Sequence, residues 1–226
     1  MNAKKQAPAR AGKRKVLLVD DHPVLREGLT VRINRETDLT VCGEAAGARE
    51  ARRAVARLHP DIVVVDLSLP DGHGLELIKN LRAHYADLLI LVFSMHDESL
   101  YAERALRAGA RGYVMKQEPP ERLLAAIRSV LCGGFALSEK TSAELIGHFS
   151  KPRSSGAAPV IASLTDRELE IFQLVGRGVG TREISVQLGR SIKTVETHRA
   201  RIMEKLHVKS AAVLVSRAAA WVATGQ

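Results

Sequence analysis

The stretch VLLVDD at residues 16–21 joins four apolar residues to two aspartates, and IVVVD at residues 62–66 repeats that pattern. Two more apolar runs lead into Ser94 and Lys116. Runs that are apolar throughout suit strands buried on both faces of a parallel sheet. Such a sheet binds its ligands at the carboxyl ends of its strands, so these polar residues are predicted to converge on one site.

Amphipathic helical stretches separate the strand candidates. They cover residues 23–35, 48–58, 73–83, 98–108 and 120–131. A further strand is expected over 39–45, although Gly43 and Glu44 interrupt its apolar pattern. Five strands that alternate with helices predict a doubly wound α/β domain with a five-stranded parallel sheet.

From Leu164 onward, short helical patterns are separated by glycines. Thr165 and Glu168 form a capping-box signature, and the helix they open is expected to end near Gly176 or Gly178. Three more helices are predicted, over 181–188, 191–206 and 210–222. Two helices joined by a tight glycine-containing turn, the second of them basic, predict a helix-turn-helix within a small all-α four-helix domain.

The chain is therefore expected to divide into four parts. They are a disordered basic tail (1–14), the α/β domain (15–134), a helix and linker (135–163) and the helix-turn-helix domain (164–226). Within the third part, 138–149 is predicted to be helical, and KPRSSGAAP at 151–159 has the composition of a linker.

Charge is distributed unevenly along the 226 residues, whose formal net charge is +9. The net charge is +6 over 1–15, −3 over 16–150, +2 over 151–163 and +4 over 164–226. A basic carboxyl-terminal module suits a polyanion such as DNA, although solvated surface charge alone can give the same sign.

Composition also argues against several classes of protein. Cys42 and Cys132 are too few for a disulfide framework or a zinc site, which favours a reducing, cytoplasmic location. The basic start is followed by no apolar segment typical of a signal peptide, and no run approaches the roughly 18 apolar residues of a membrane span.

The aspartates at the strand ends form a predicted cation site. Because Asp20, Asp21 and Asp66 would repel one another, their cluster favours a bound divalent cation, and oxygen ligands suit Mg²⁺. The expected ligands are Asp21, Asp66 and the backbone carbonyl of Ser68, with Asp20 acting partly through water.

Once its charge is balanced, the Asp66 carboxylate can attack a phosphorus atom and become an acyl phosphate. Lys116 would supply an ammonium group to the phosphoryl oxygens, and the Ser94 hydroxyl would donate to another of them. A different interpretation treats Asp20, Asp21 and Asp66 as helix caps, since a strand-end aspartate often caps the next helix.

Three motifs resemble the receiver domains of two-component response regulators, which have a flavodoxin-like fold. They are VDDHP at 19–23, DLSLPDG at 66–72 and ARGYVMK at 110–116. The resemblance implies that Asp66 is the phosphoacceptor, that a sensor histidine kinase is the partner, and that Tyr113 swings inward when Ser94 moves. Gln117 stands where many receivers carry proline, which leaves open whether the Lys116–Gln117 bond is cis.

The predicted helix over 191–206 has an apolar stripe that should face the domain core. Val195, His198, Ile202 and Leu206 recur on it at spacings of three and four. Its position on this stripe makes His198 more typical of a packed core histidine than of a base reader.

The opposite face of that helix is predicted to enter the major groove of DNA. Glu196, Thr197 and Ala200 are the expected base readers, since recognition helices read base edges with their amino-terminal turns. The expected phosphate contacts are Lys193, Arg201 and Lys205, with Thr194 beside them.

Three further motifs resemble the LuxR-type output domain of the NarL/FixJ response regulators. They are LTDRELE at 164–170, ISVQL at 184–188 and KTVETHRARIMEKL at 193–206. The resemblance implies promoter double-stranded DNA as a partner and a fourth helix that pairs two subunits. Ala211, Val213, Leu214 and Ala218 would suit such a seam, or equally packing within one domain.

Together these features predict a non-enzymatic DNA-binding transcriptional regulator, switched by phosphorylation of Asp66 through domain release or through formation of a homodimer. One rival is a relay protein that acts as phosphoryl acceptor and autophosphatase, for which the 164–222 module would have no use. A second rival binds DNA constitutively with a degenerate pocket, which the intact pocket residues argue against.

Overall fold

The computed structural model describes residues 12–150 and 160–224 of the chain. Strands and helices alternate over the first range. The strands are β1 (Arg14–Val19), β2 (Leu39–Ala45), β3 (Ile62–Val65), β4 (Ser68–Leu69), β5 (Gly72–His73), β6 (Leu89–Ser94) and β7 (Gly112–Met115). The helices are α1 (Pro23–Asn34), α2 (Ala48–Leu58), α3 (Gly74–His84), α4 (Glu98–Ala108), α5 (Pro120–Leu131) and α6 (Glu139–Ser150).

Five of the strands form one parallel sheet in the order β2-β1-β3-β6-β7. Its two faces carry separate groups of buried side chains. Leu17, Val63 and Val92 pack with α2, α3 and α4 on one face, and Leu18, Val64 and Leu91 pack with α1 and α5 on the other. Because both faces are covered, the strands are apolar throughout, and the predicted doubly wound domain is confirmed.

The edge strand β2 is the irregular one. Its register against β1 shifts between Val16 and Leu17, so that Cys42 has no counterpart in the ladder. A Cβ at Gly43 would lie 2.5 Å from Leu58 Cδ1, so a larger residue there would require the Leu58 side chain to move. The glycine that interrupts the apolar pattern therefore lies against the Leu58 side chain.

A small antiparallel hairpin, formed by β4 and β5, was not predicted. It lies between β3 and α3 and pairs Ser68 with His73. Two-residue strands are too short to show an alternating pattern in sequence. The hairpin positions His73 as the N-cap of α3, where its Nδ1 accepts the Leu75 N–H at 3.2 Å.

The α/β domain is longer at both ends than expected. Arg14, assigned to the tail, is the first residue of β1. Ala136 lies beyond the expected end at residue 134, yet its carbonyl accepts the Tyr113 N–H at 2.7 Å and it bridges to Gly112. This extra pairing is possible because β7 is the last strand of the sheet and has an open edge. Most of the tail and the linker at 151–159 lie outside the described residues.

Four helices follow a short 3-10 turn at Val160–Ser163. They are α7 (Asp166–Gly176), α8 (Thr181–Gln187), α9 (Ile192–Lys205) and α10 (Ala211–Thr224). The predicted capping box is present, since Thr165 Oγ1 accepts the Glu168 N–H and the Glu168 carboxylate accepts the Thr165 N–H at 2.8 Å. Gly178 and Gly189 have positive φ values of 79° and 57°, which permit the tight turns after α7 and α8. No helix in the described part of the chain is long and apolar enough to cross a membrane.

Candidate phosphorylation pocket and nucleic-acid interface

The polar residues that end the strands meet at one edge of the sheet. Asp20 and Asp66 are 4% and 3% exposed, and Ser94 is fully buried. Ser94 Oγ donates to Asp66 Oδ1 at 2.7 Å, and Lys116 Nζ donates to Asp66 Oδ2 at 2.7 Å. Lys116 Nζ also lies 2.6 Å from Asp20 Oδ2. Each oxygen of Asp66 is therefore held by a separate donor.

The lysine balances two buried negative charges. Burial by itself lowers the pKa of Lys116, but the charges and hydrogen bonds of Asp66 and Asp20 outweigh that effect and raise the pKa above its usual 10.5. Lys116 therefore stays protonated across the physiological range.

Carboxylates at the open side of the pocket could hold a cation. Ligand atoms of Asp20, Asp21, His22 and Asp66 lie within 4.8 Å of one another. Three of these four groups offer carboxylate oxygens, which fit a hard cation such as Mg²⁺ better than a soft metal. His22 was not among the predicted site residues, and its Nδ1 lies 3.0 Å from Asp20 Oδ1 and 2.8 Å from Asp21 Oδ1. Its position beside the aspartate pair was the available signal.

The interpretation of Asp66 as a helix cap does not hold. His73 caps the helix that follows, and the Asp66 oxygens accept from Ser94 and Lys116 instead. Asp20 does have a local role, because its Oδ1 accepts the N–H of His22, the N-cap residue of α1.

The aromatic residue expected to swing inward is already buried. Tyr113 is 1% exposed, and its hydroxyl donates to the backbone carbonyl of His96 at 2.9 Å. Burial raises the pKa of Tyr113 well above 10, so the hydroxyl keeps its proton and remains a donor. The Lys116–Gln117 peptide bond is trans, since the described residues contain no cis bond.

Helix α9 presents a polar face to solvent. Val195, Ile202 and Leu206 of the predicted apolar stripe are buried. His198 is partly buried, its Nδ1 has no hydrogen-bond partner within the described part of the chain, and burial lowers its pKa, as expected of a packed histidine. The exposed residues of α9 include Lys193, Glu196, Thr197, Ala200 and Arg201.

Other residues of the predicted interface are engaged elsewhere. Lys205 Nζ lies 2.6 Å from Glu168 Oε2, so a phosphate contact from Lys205 would require this ion pair to break. Thr197 Oγ1 donates to the Lys193 carbonyl at 2.9 Å, which leaves its methyl group for a base. Thr194 is partly buried and hydrogen bonded to the N-cap residue Ser191. Exposed positive charge in this domain outside α9 includes Arg182, Arg190 and Lys209, which were not among the predicted contacts.

Of the four α10 residues expected at a subunit seam, two are buried within the domain and two are exposed. Leu214 and Ala218 are fully buried within the domain, whereas Val213 is 53% exposed and Ala211 is exposed. The first pair thus serves packing inside one domain, and the second remains on the surface.

Comparisons with known proteins agree with this architecture. Residues 16–128 match the family model of the response regulator receiver domain, and residues 162–218 match that of bacterial regulatory proteins of the luxR family. The oxygen regulatory protein NreC of Staphylococcus carnosus (strain TM300) is 36% identical over 208 residues, which cover 90% of this chain and 96% of that protein.

Two solved structures are also similar. A two-component response regulator of the LuxR family from Aurantimonas sp. SI85-9A1 is 39% identical, covers 62% of this chain and 100% of its own, and has a TM-score of 0.57. RcsB from Salmonella enterica serovar Typhimurium, bound to promoter rprA in the presence of phosphomimetic BeF3⁻, is 26% identical, covers 91% of this chain and 98% of its own, and has a TM-score of 0.60.

The chain belongs to the two-component response regulators, a class defined by the receiver domain. Its second domain is of the LuxR type, so it is a DNA-binding transcription regulator controlled by phosphorylation.

Proposed function

We propose that Asp66 is the residue phosphorylated, with a sensor histidine kinase as donor. The observation that carries this proposal is the pair of donors on Asp66, one from Ser94 and one from Lys116, each at 2.7 Å. A carboxylate oxygen attacks phosphorus, the bond from phosphorus to the donor nitrogen breaks, and the nitrogen keeps the electron pair. Lys116 and Ser94 then donate to phosphoryl oxygens. Water can then attack the same phosphorus, which breaks its bond to the Asp66 oxygen, regenerates the carboxylate and releases inorganic phosphate, so the domain would also act as its own phosphatase.

Residues at the open side of the pocket would hold Mg²⁺. The proposed ligands are Asp21, Asp66 and the Ser68 backbone carbonyl, with Asp20 acting partly through water. When bound, the cation neutralises charge on the carboxylates and on the incoming phosphoryl group. Lys116 compensates only part of that charge, because its ion pairs are with Asp20 and Asp66, whereas Asp21 is exposed.

The output surface is the exposed face of α9. Lys193 and Arg201 are suited to phosphate contacts, while Glu196, Thr197 and Ala200 are suited to base edges. The partner is promoter double-stranded DNA, which is bound in the cytoplasm. A solved structure of RcsB contains dimers bound to DNA, and exposed Val213 on α10 supports a homodimer of this chain when phosphorylated.

The decisive experiment is the mass of the protein after treatment with acetyl phosphate and Mg²⁺. The unmodified chain should gain one phosphoryl group, and Asp66→Asn should gain none while remaining folded. Asp97→Asn is the matched control, because Asp97 also follows a sheet strand, yet it caps α4, a role that asparagine fills equally well. A full mass gain in Asp66→Asn would reject the assignment.

Two further measurements test the cation and the control of DNA binding separately. Replacing Mg²⁺ with a chelator, or changing Asp21→Ala, should slow uptake strongly, and equal rates would reject the cation. Promoter-fragment binding measured with and without acetyl phosphate should differ in the unmodified chain and coincide in Asp66→Asn.

A further inference from the structure

Helix α7 of the DNA-binding domain is buried on two sides. One side is apolar and faces its own domain, where Phe172 packs against Trp221 with ring centroids 5.6 Å apart. The other side is polar, and it carries Asp166, Glu170 and Gln173 at spacings of four and three. Glu170 and Gln173 are nevertheless 2% and 5% exposed. Buried polar groups need partners. Glu170 has one on its own helix, Arg167, and the other groups that face this side of α7 belong to the receiver.

The receiver side of this contact comes from α3 and α4. Arg104 Nη1 donates to both Asp166 Oδ1 and the Leu164 carbonyl at 2.9 Å. Tyr101, fully buried, directs its hydroxyl to Gln173 Oε1 at 3.3 Å. Lys79 Nζ lies 3.4 Å from Asp166 Oδ2. The contact is therefore polar and specific.

Glu170 lies at the centre of the contact between two histidines. Its Oε2 is 4.0 Å from His73 Nε2, and its Oε1 is 3.8 Å from His96 Nε2. Within its own helix, Glu170 pairs with Arg167 at 2.5 Å.

The hydrogen bonding of His73 determines its tautomer, and thus whether the ring nitrogen that faces Glu170 carries a proton. Burial lowers the pKa of His73, so the ring is neutral at neutral pH. Its Nδ1 accepts the Leu75 N–H, and therefore Nε2 carries the proton. That buried Nε2 has no hydrogen-bond partner among the described residues and points at the Glu170 carboxylate. The receiver thus directs an unused donor at a charge of the DNA-binding domain.

The same slot is connected to the phosphorylation pocket. His96 accepts the Tyr113 hydroxyl through its backbone carbonyl, and its Nε2 lies 3.0 Å from Ser68 Oγ. Its N–H lies 3.5 Å from Ser94 Oγ, the group that donates to Asp66. A movement of Ser94 toward a phosphoryl group would therefore displace His96, which forms one wall of the slot.

We propose that His73 and His96, with the Tyr101 ring packed beside both of them, form a carboxylate slot in the receiver, that Glu170 occupies it in the unphosphorylated protein, and that phosphorylation of Asp66 releases Glu170. This inference rests on the proposed function. Docking and phosphorylation are then coupled reciprocally: if phosphorylation weakens docking, loss of docking favours phosphorylation by the same factor at equilibrium. In the docked form, the face of α9 that is proposed to contact DNA is exposed. Docking of Glu170 therefore controls how the two domains are arranged and does not cover that helix.

Two substitutions test the slot from opposite sides in the full chain. His73→Asn keeps an acceptor for the Leu75 N–H, since asparagine is a good N-cap, and removes the ring Nε2. Glu170→Gln keeps the shape of the side chain and removes its charge. Glu103→Gln is the matched control, because Glu103 lies on α4 with its side chain 41% exposed and pairs with Arg107 on the same helix.

The measurement is amide hydrogen exchange of residues 98–108 before and after treatment with acetyl phosphate and Mg²⁺. In the unphosphorylated protein, each slot variant should exchange roughly fivefold or more faster over this segment than the control. The variants should also take up more phosphate at equilibrium by a similar factor. The double variant should add little to either single change, because both remove the same interaction.

The outcomes separate this inference from the function it rests on. Unchanged exchange in both slot variants would overturn the slot. If the unmodified chain takes up phosphate but residues 98–108 exchange at the same rate before and after uptake, the release of Glu170 is contradicted. If Asp66 takes up no phosphate, the proposed function is rejected, and so is the release of Glu170 by phosphorylation. The hydrogen-exchange rates of the slot variants would still decide whether Glu170 docks in the slot.

Discussion

Lys116 is the residue on which the unphosphorylated pocket depends most. Its ammonium group is bonded to Asp20 and Asp66, and all three side chains are at most 6% exposed. Removal of one member of a buried charge cluster leaves the others uncompensated, which typically costs about 3 to 5 kcal/mol. The same ammonium would hold the phosphoryl group after transfer, so Lys116 serves both the stability and the signal.

We expect Lys116→Ala to lower the free energy of unfolding of the receiver by about 3 kcal/mol in the presence of a chelator. It should also slow phosphate uptake and abolish the effect of phosphorylation on promoter binding. Chemical denaturation and promoter-fragment titrations measure these quantities, with exposed Lys140→Ala as the control. Normal stability together with a normal response to phosphorylation would contradict both roles.

At the scale of elements, the close approach of α3 to β3 shapes the pocket. A Cβ at Gly74 would lie 2.3 Å from the Asp66 carbonyl oxygen and 2.6 Å from Leu67 Cα. Both contacts are to backbone, which cannot rotate away as a side chain can. The glycine thus permits the first turn of α3 to pack directly on the strand end that carries Asp66.

Gly74→Ala should therefore destabilise the receiver by about 1 to 3 kcal/mol and slow phosphorylation, although the residue has no chemistry of its own. Gly72→Ala is a sharp control, because its Cβ would make an ordinary contact 3.6 Å from Ala48 Cβ. Denaturation midpoints and acetyl phosphate uptake are the measurements. Equal behaviour of the two variants would show that α3 can shift freely.

The start of α7 depends on Glu168, which joins the capping box to Lys205. Burial by itself raises the pKa of Glu168, but hydrogen bonds from Lys205 and Thr165 outweigh it and lower the pKa below the usual 4.5. A carboxyl group whose pKa is lower in the folded state stabilises the fold above the unfolded pKa, and loses that contribution as pH falls through the folded pKa.

The stability of the DNA-binding domain should accordingly decline as pH falls below about 4.5, and Glu168→Gln should flatten this decline. Fluorescence of Trp221, the single tryptophan of the chain, reports on this domain because it packs against Phe172 of α7. Exposed Glu183→Gln is the control. Parallel pH profiles for the two variants would contradict the role of Glu168.

On the scale of the whole molecule, the two domains carry net charges of opposite sign. The receiver region is net negative and the DNA-binding domain net positive, and the contact between them includes the ion pair of Arg104 with Asp166. Since α9 keeps its polar face in solvent, the positive charge of Lys193 and Arg201 remains available to a duplex.

Lys193→Ala or Arg201→Ala should weaken binding to every duplex alike and reduce the salt slope by about one unit each. Glu196→Ala and Thr197→Ala should instead change which sequences are preferred, because each removes an interaction with a base edge that is worth roughly 1 to 3 kcal/mol. Binding to a promoter site and to scrambled DNA at several salt concentrations separates the two classes. If Lys193→Ala alone removed the sequence preference, the helix would be rotated, and His198 or Arg199 would become the readers.

The sequence by itself determined the elements and the converging pocket. Its apolar runs and helical periods predicted the five strands of the sheet and its helices to within two residues of their observed ends. Asp20, Asp66, Ser94 and Lys116 could be grouped because parallel strands bring their carboxyl ends to one edge. These features depend on local pattern and on a general rule of sheet geometry, so they can be predicted without knowing the packing.

Tertiary structure alone decided which polar groups meet across the fold. The pairing of Lys205 with Glu168, the bridge from Ala136 to Gly112 and the slot around Glu170 each join residues far apart in sequence. The sequence pattern around Glu170 is typical of a solvent-facing residue on an amphipathic helix, and only the packing of another domain covers that face. Periodicity records which side of a helix is polar, whereas burial of the polar side depends on the surface packed against it.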